Sequence, residues 1–420
     1  MKHLLRMGIV VVFALAVAVL SAAAQDTPAD VGESGFPAAT LAESEPNNTL
    51  ERADLISMGD VMAGAIDGRY DVDYYRLDPP DNPYWVGEGM ARMIDIDAQA
   101  LASPLDASLC LYATIDRGTM EMACNDDSEG YDPLLLYKLY PTGTEPGPPY
   151  YIRVQHADYP NYGGPDYTYT LSVYRPLLIS AATNGTVAGI SFTRSDVLSH
   201  YDFPDGTEKW LLFFDASDVG ITRNVVGLAA GHWGADIELA LERSQPLTVA
   251  GAVETVTPFD LLYFEPGPDG RYGPKTAGSF PGWNWGRGSD LGLSASGEKI
   301  DAIVWGALIS TTGVARFPSG LTTQDEDLVS AWNGGWLHFD GSRVPGLAAE
   351  DVVAADSVRR EQWDDAYLLT ILGGGVIDGW RFSQKDIFSV DPVYYGVTGL
   401  YWHGPDHHFD YPIDAFDAAD

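Results

Sequence analysis

Hydrophobic and polar positions alternate in short runs along most of the chain, and few stretches carry a helical period. In the first half, alternating runs fall at residues 61–66, 73–77, 92–98, 108–113, 120–125, 134–139, 150–155 and 167–174, separated by Gly, Pro and Asp. A period of two between such breakers predicts strands, because successive side chains of a strand face opposite sides. Eight short strands at this spacing predict a two-sheet, jelly-roll-like β-sandwich over residues 43–176. Within it, Leu109 and Leu111 alternate on one side of Asp116-Arg117-Gly118, and Met120 and Met122 on the other. That hairpin sets Cys110 opposite Cys124 near its open end, where a disulfide staple is expected.

From Leu177 the pattern becomes periodic. Asp196, Asp260, Asp327 and Asp386 occupy equivalent places, separated by 64, 67 and 59 residues. A second series runs Leu178-Ile179-Ser180, Ile237-Glu238-Leu239, Leu308-Ile309-Ser310 and Leu368-Leu369-Thr370. A third runs Ile300-Asp301-Ala302, Asp351-Val352-Val353-Ala354 and Ile413-Asp414-Ala415, with Asn224-Val225-Val226-Gly227 a worn copy. Periods of this length mark repeated supersecondary units. The region opens on the second series and closes on the third, which are consecutive inside every internal unit. One unit is thus split between the two ends, which lets the termini pair and removes free sheet edges. The expectation is an all-β chain: the sandwich, then a four-unit β-propeller-like domain over 177–420. The aromatic runs before Asp215-Ala216-Ser217 and Asp340-Gly341-Ser342 read as strands leading into turns, in which side-chain oxygens satisfy backbone N–H groups.

Lys2 and Arg6 precede an apolar run from Met7 to Leu20, followed by Ser21-Ala22-Ala23-Ala24. A basic start, an apolar core and a small-residue site predict a signal peptide over residues 1–24. Residues 25–42 then read as a flexible linker. The protein is expected to be secreted or held at a bacterial cell surface, and no later stretch is apolar enough to span a bilayer. The sequence holds 24 basic and 60 acidic residues, a net −36; loss of Lys2 and Arg6, with no acid, makes this −38. Such a surface disfavours nucleic acid and anionic membranes and favours cations. Export also favours the Cys110–Cys124 disulfide.

Glu45-Pro46-Asn47-Asn48-Thr49, Ala53-Asp54, Val61-x-x-Gly64-x-Ile66 and Asp71-Val72-Asp73-Tyr74-Tyr75-Arg76-Leu77 follow one another. Further on come Leu105-Asp106-Ala107-Ser108-Leu109, Asn125-Asp126-Asp127-Ser128, Tyr150-Tyr151-Ile152-Arg153-Val154 and Tyr167-x-Tyr169-x-Leu171. In order and in kind these motifs, over about a third of the chain, resemble the bacterial pre-peptidase C-terminal domain. Members of that family usually trail a secreted protease, whereas here the domain comes first. The resemblance implies a secreted accessory module, in some relatives bound to calcium or to an insoluble substrate. The related collagen-binding modules gather calcium with Glu-x-Glu-x-Asn-Asp and a later Asp-Tyr, which places Glu43, Glu45, Asn47, Asn48, Asp73 and Tyr74 as Ca²⁺ ligands here. Carboxylates with amide or backbone carbonyls supply the hard oxygens Ca²⁺ takes. Asn48 stands where aspartate is usual, one charge fewer. Read without the resemblance, the same segment is either a cation loop or an acidic linker capped by a turn.

Signatures of nucleophilic, zinc-protease and phosphate-binding chemistry, G-x-S-x-G, H-E-x-x-H and the phosphate loop, are absent from the sequence. The histidine cluster His403-Gly404-Pro405-Asp406-His407-His408 is either a Zn²⁺ site with Asp406 or Asp410, or an exposed polar loop. Four aromatic residues in loops are candidates for polymer contact: Tyr159 and Tyr162 in the first domain, and Trp283 and Trp285 in the longest insertion of the repeats. The function expected is non-catalytic recognition of an extracellular polysaccharide or protein polymer, with calcium assisting the first domain. The alternative is a secreted hydrolase of glycoside or peptide bonds, with Asp/Glu of different units forming an acidic site.

Overall fold

The computed structural model describes residues 40–78, 90–115, 118–128, 130–139, 149–230, 235–266, 271–283, 287–304, 308–330, 334–359 and 365–418. The expected signal peptide lies outside the described residues, as does most of the expected linker. Ten strands build the first part: β1 (Thr40–Ala42), β2 (Asp54–Ile56), β3 (Val61–Ala65), β4 (Asp73–Leu77), β5 (Met90–Asp97), β6 (Ala107–Ile115), β7 (Gly118–Asn125), β8 (Leu134–Leu139), β9 (Tyr150–His156) and β10 (Thr168–Tyr174). They form two five-stranded sheets, ordered β1-β3-β10-β5-β8 and β2-β4-β9-β6-β7. Inward residues such as Ile56, Ile94, Leu109, Ile152 and Leu171 are fully buried between them. The β-sandwich is as expected, with two short strands added. Thr40–Ala42, read as linker, runs parallel to β3, and Asp54–Ile56 runs parallel to β4. Three residues give alternation too little length to register. Cys110 and Cys124 face each other across the β6–β7 hairpin and are joined by a disulfide.

Among the described residues the repeat region holds three two-stranded sheets and four larger ones that share a four-stranded pattern, the second extended to six strands. The first contains Leu177–Ala181, Val197–Asp202 and Glu208–Phe214, together with the C-terminal strand Ile413–Asp417, which pairs antiparallel with Leu177–Ala181. The others begin with Val225–Ala230, Ile300–Val304 and Val352–Arg359. These three strands and Ile413–Asp417 touch one another in cyclic order. Two aspartates bond across neighbouring sheets: Asp417 accepts from Ala230 N at 2.8 Å, and Asp356 accepts from Ala418 N at 2.7 Å.

The periodic aspartates explain the repeat. In each unit one carboxylate oxygen accepts the N–H three residues earlier: Thr193 to Asp196 at 2.7 Å, Thr257 to Asp260 at 2.7 Å, Gln324 to Asp327 at 2.9 Å and Ser383 to Asp386 at 2.6 Å. In three units the other oxygen takes the N–H of a distant turn, from Ala216, Gly288 or Gly341. In the fourth, His403 Nδ1 occupies that place on Asp386. The repeated motif therefore staples two turns per sheet, satisfying buried donors that would otherwise be costly.

The sandwich packs directly on the repeats. Met93, Leu134, Leu136 and Tyr174 share a core with Phe213, Phe214 and Phe264, and the Tyr174 and Tyr201 rings stack at 4.7 Å. Lys209 forms an ion pair with Asp97 at 2.5 Å and another with Asp95.

Candidate metal centre

At one end of the sandwich, β1 delivers the chain to Glu43, whose N–H continues the ladder by donating to Ala63 O at 3.0 Å. The Glu43 carboxylate folds back over β3: Oε1 accepts from Ala65 N at 2.6 Å, and Oε2 accepts from the Tyr75 hydroxyl at 2.9 Å. On β4 alternation sends Asp73 and Tyr75 inward and leaves Tyr74 half-exposed. Across from them on β10, the Tyr169 hydroxyl lies 2.5 Å from Asp73 Oδ2 and 2.5 Å from the Tyr75 hydroxyl.

Glu43, Tyr75, Tyr169 and Asp73 thus form a chain of three close contacts, for which the two phenols bring two protons. Tyr169 donates to Asp73 Oδ2 and Tyr75 to Glu43 Oε2, while between the two hydroxyls either oxygen can be the donor. Burial, reinforced by the Glu43 charge, pushes Asp73 up to about 9. Burial also raises Glu43, and burial with the Asp71 charge raises Glu45. Carboxylates crowded in a dry site hold protons unless a cation replaces them.

Two acceptors here have no hydrogen-bond partner among the described residues: Asn47 Oδ1 and Asp73 Oδ1. Both residues are 0% exposed. The Asn47 amide nitrogen is oriented by Asp54 Oδ2 at 3.4 Å and Glu43 Oε2 at 3.5 Å, which leaves the oxygen as the unmatched end. Glu43, Glu45 and Asp73 each offer an oxygen within 4.8 Å of the others. Gly64 keeps the space open: a Cβ there would meet Tyr169 Cζ at 2.6 Å and Glu43 Oε2 at 2.8 Å. An all-oxygen donor set with two orphaned buried acceptors fits a hard divalent cation such as Ca²⁺.

The sequence-derived residues divide around this centre. Glu43, Glu45, Asn47 and Asp73 converge on it. Asn48 turns away and donates from its amide to Asp71 Oδ1 at 2.7 Å. Tyr74 contributes its backbone N–H, donated to Asn47 O at 3.1 Å, while its ring lies on the other face of the strand from Asp73. Tyr75, Tyr169 and Asp54 belong to the centre but were not singled out from the sequence. Glu45 is also shared with a second, more exposed acidic group, Asp67 and Asp71, in a cleft it lines with Asn48 and Tyr70.

The other candidates are dispersed. Tyr159 is 42% and Tyr162 49% exposed, and Tyr162 stacks on His156 at 4.8 Å. Trp283 packs against the core and is covered by Arg287, 4.7 Å from its ring centre; Trp285 lies outside the described residues. Asp410 pairs with Lys385 and His403 with Asp386, so each of these two side chains is engaged away from His407. Asp301, 5% exposed, is held well above the usual carboxylate range by burial and then by Asp351.

No family model matches the chain, and no curated protein does. Among solved structures, it is similar to a 1.0 Å crystal structure of the pre-peptidase C-terminal domain of a collagenase from Bacillus anthracis, at 20% identity and a TM-score of 0.21. That match covers 29% of this chain and 93% of the other. No helix among the described residues is long and apolar enough to cross a membrane.

Proposed function

We propose that this chain is an exported binding protein, with a calcium-stabilised sandwich as accessory module and the four sheets as a closed propeller that recognises an extracellular polysaccharide or protein polymer. The observation that carries the calcium assignment is the pair of orphaned acceptors, Asn47 Oδ1 and Asp73 Oδ1, beside three carboxylates. The leader-like residues 1–24 and the Cys110–Cys124 disulfide support export. Exposed aromatic rings support polymer contact: Tyr159 and Tyr162 on the sandwich, Trp336, Trp380 and Tyr394 on the repeats.

Calorimetric unfolding in EDTA and then in Ca²⁺ tests the module. Ca²⁺ at about one hundred times its dissociation constant adds about 2.7 kcal/mol to the state that binds it. The transition containing the sandwich is expected to rise, and Glu45→Ala is expected to reduce that rise. A transition unmoved by Ca²⁺ overturns the calcium assignment. Co-sedimentation with insoluble polysaccharides and collagen tests the polymer reading, which fails if Tyr159→Ala with Tyr162→Ala, Trp336→Ala and Trp380→Ala all leave capture unchanged.

A further inference from the structure

A second constellation lies in the repeat region, where the first and fourth sheets meet. His200 and Asp202 are two apart on the strand Val197–Asp202 and so share a face. Glu208 is the cross-strand partner of Asp202 at the start of Glu208–Phe214. The fourth member, His407, arrives from the 3₁₀ turn Gly404–His407, which follows the strand Val397–His403. Each residue offers one ligand atom, and the four atoms lie within 4.8 Å of one another.

The spacing has a specific meaning. Asp202 Oδ1 is 3.4 Å from both His200 Nε2 and His407 Nδ1. Glu208 is 3.7 Å from His200 Nε2 and 3.4 Å from His407 Nδ1. Zn²⁺ bonds of about 2.0–2.2 Å to nitrogen and oxygen imply tetrahedral ligand–ligand edges of about 3.3–3.6 Å. Three of these contacts match such edges and the fourth, made by the other Glu208 oxygen, is slightly longer; all four are too long for good hydrogen bonds. His200 Nε2 and His407 Nδ1 are buried atoms with no hydrogen-bond partner among the described residues, and the His200 side chain is 2% exposed. Two imidazole nitrogens thus converge on the same two carboxylates at ion-pair distance, an arrangement that a shared cation fits in place of imidazole protons.

The surroundings hold the imidazoles in place. Trp402 stacks on His407 at 5.3 Å with planes 6° apart, and Trp210 lies 4.4 Å from His200. Two neutral imidazoles and two carboxylates balance a divalent charge. We propose that His200, Asp202, Glu208 and His407 form a structural zinc site that ties the C-terminal turn of the fourth sheet to the first. Four protein donors with no remaining position are the mark of a structural rather than a hydrolytic zinc. The partners of His407 thus come from strands some two hundred positions earlier, rather than from Asp406 or Asp410 beside it.

Metal content and titration of the full chain, stripped with chelator and then given Zn²⁺ in the presence of Ca²⁺, test this. One Zn²⁺ per chain is expected, and Co²⁺ in its place should show the intense visible bands of a tetrahedral centre. His407→Gln and Asp202→Asn, one donor from each sheet and both more exposed than His200, should each weaken Zn²⁺ by at least about tenfold. Circular dichroism in EDTA should show both still folded. Asp73→Asn, in the sandwich centre, should leave Zn²⁺ unchanged, which separates this site from the calcium reading. Absence of stoichiometric Zn²⁺, weak octahedral Co²⁺ bands, or wild-type affinity in both variants would overturn the proposal and leave an ion-pair cluster only.

Discussion

Asp73→Asn is the sharpest probe of the sandwich centre because it exchanges a carboxylate for an amide of the same shape. The buried Asp73 carboxyl stands at about 9 against an ordinary value of 3.8. Between those limits the native state holds a proton that the unfolded chain has released. Folding therefore takes up a proton, and metal-free stability falls as pH rises. The slope is about 1.4 kcal/mol per pH unit, so about 4 kcal/mol is lost between about pH 5 and about pH 8. The amide of the Asp73→Asn variant carries no such proton, so the slope should shrink to what the raised Glu43 and Glu45 carboxyls leave. Saturating Ca²⁺ should flatten it as well, since the ion replaces the proton. Urea unfolding in EDTA at both pH values, followed through the transition of the sandwich, measures this directly. Equal metal-free midpoints for the wild type at the two pH values, or an undiminished slope in Asp73→Asn, would refute the buried-proton account.

Other perturbations reach the remaining parts of the molecule. Gly64→Ala places a methyl against Tyr169 and Glu43; it should cost about 1–3 kcal/mol and weaken Ca²⁺ in the same titration. Lys209→Ala leaves Asp95 and Asp97 facing each other without their cation, and calorimetry should show a loss of about 3–5 kcal/mol. Asp327→Ala removes the acceptor for Gln324 N and Gly341 N. It should cost about 2 kcal/mol or more in denaturant unfolding, with Asp327→Asn milder.

Much of the sandwich was legible because its strands alternate long enough to be seen; 73–77 and 134–139 coincide with β4 and β8. The centre was only half legible. Glu43, Glu45, Asn47 and Asp73 are visible as acids and amides near one turn. Tyr75 and Tyr169 look like core aromatics, and nothing local says that their hydroxyls meet. The alternation that buries Asp73 carries Tyr75 inward with it, and this signal favoured Tyr75 over Tyr74. In the repeats, Asp196 and its equivalents declared themselves by period, and their bonds explain why. His407 stood in the histidine cluster weighed as a Zn²⁺ site, but nothing local pointed to His200, which lies in a different unit and meets it only where the first and last sheets meet. Trp283 looked like a contact residue because its run is aromatic, but the cation above it sits four positions along the chain.

The pairing of Leu177–Ala181 with Ile413–Asp417 has a kinetic consequence. The first sheet receives its last strand only after the three other units have been made and arranged, so its assembly requires closure over almost the whole region. Such distant contacts slow folding because chain entropy is lost before they form. Until then Leu177–Ala181 presents an open edge, the kind that pairs with strands of other molecules. Refolding at rising protein concentration should therefore divert into association at this step, and a ligand that bridges His407 to the first sheet would shorten the time the edge stays open.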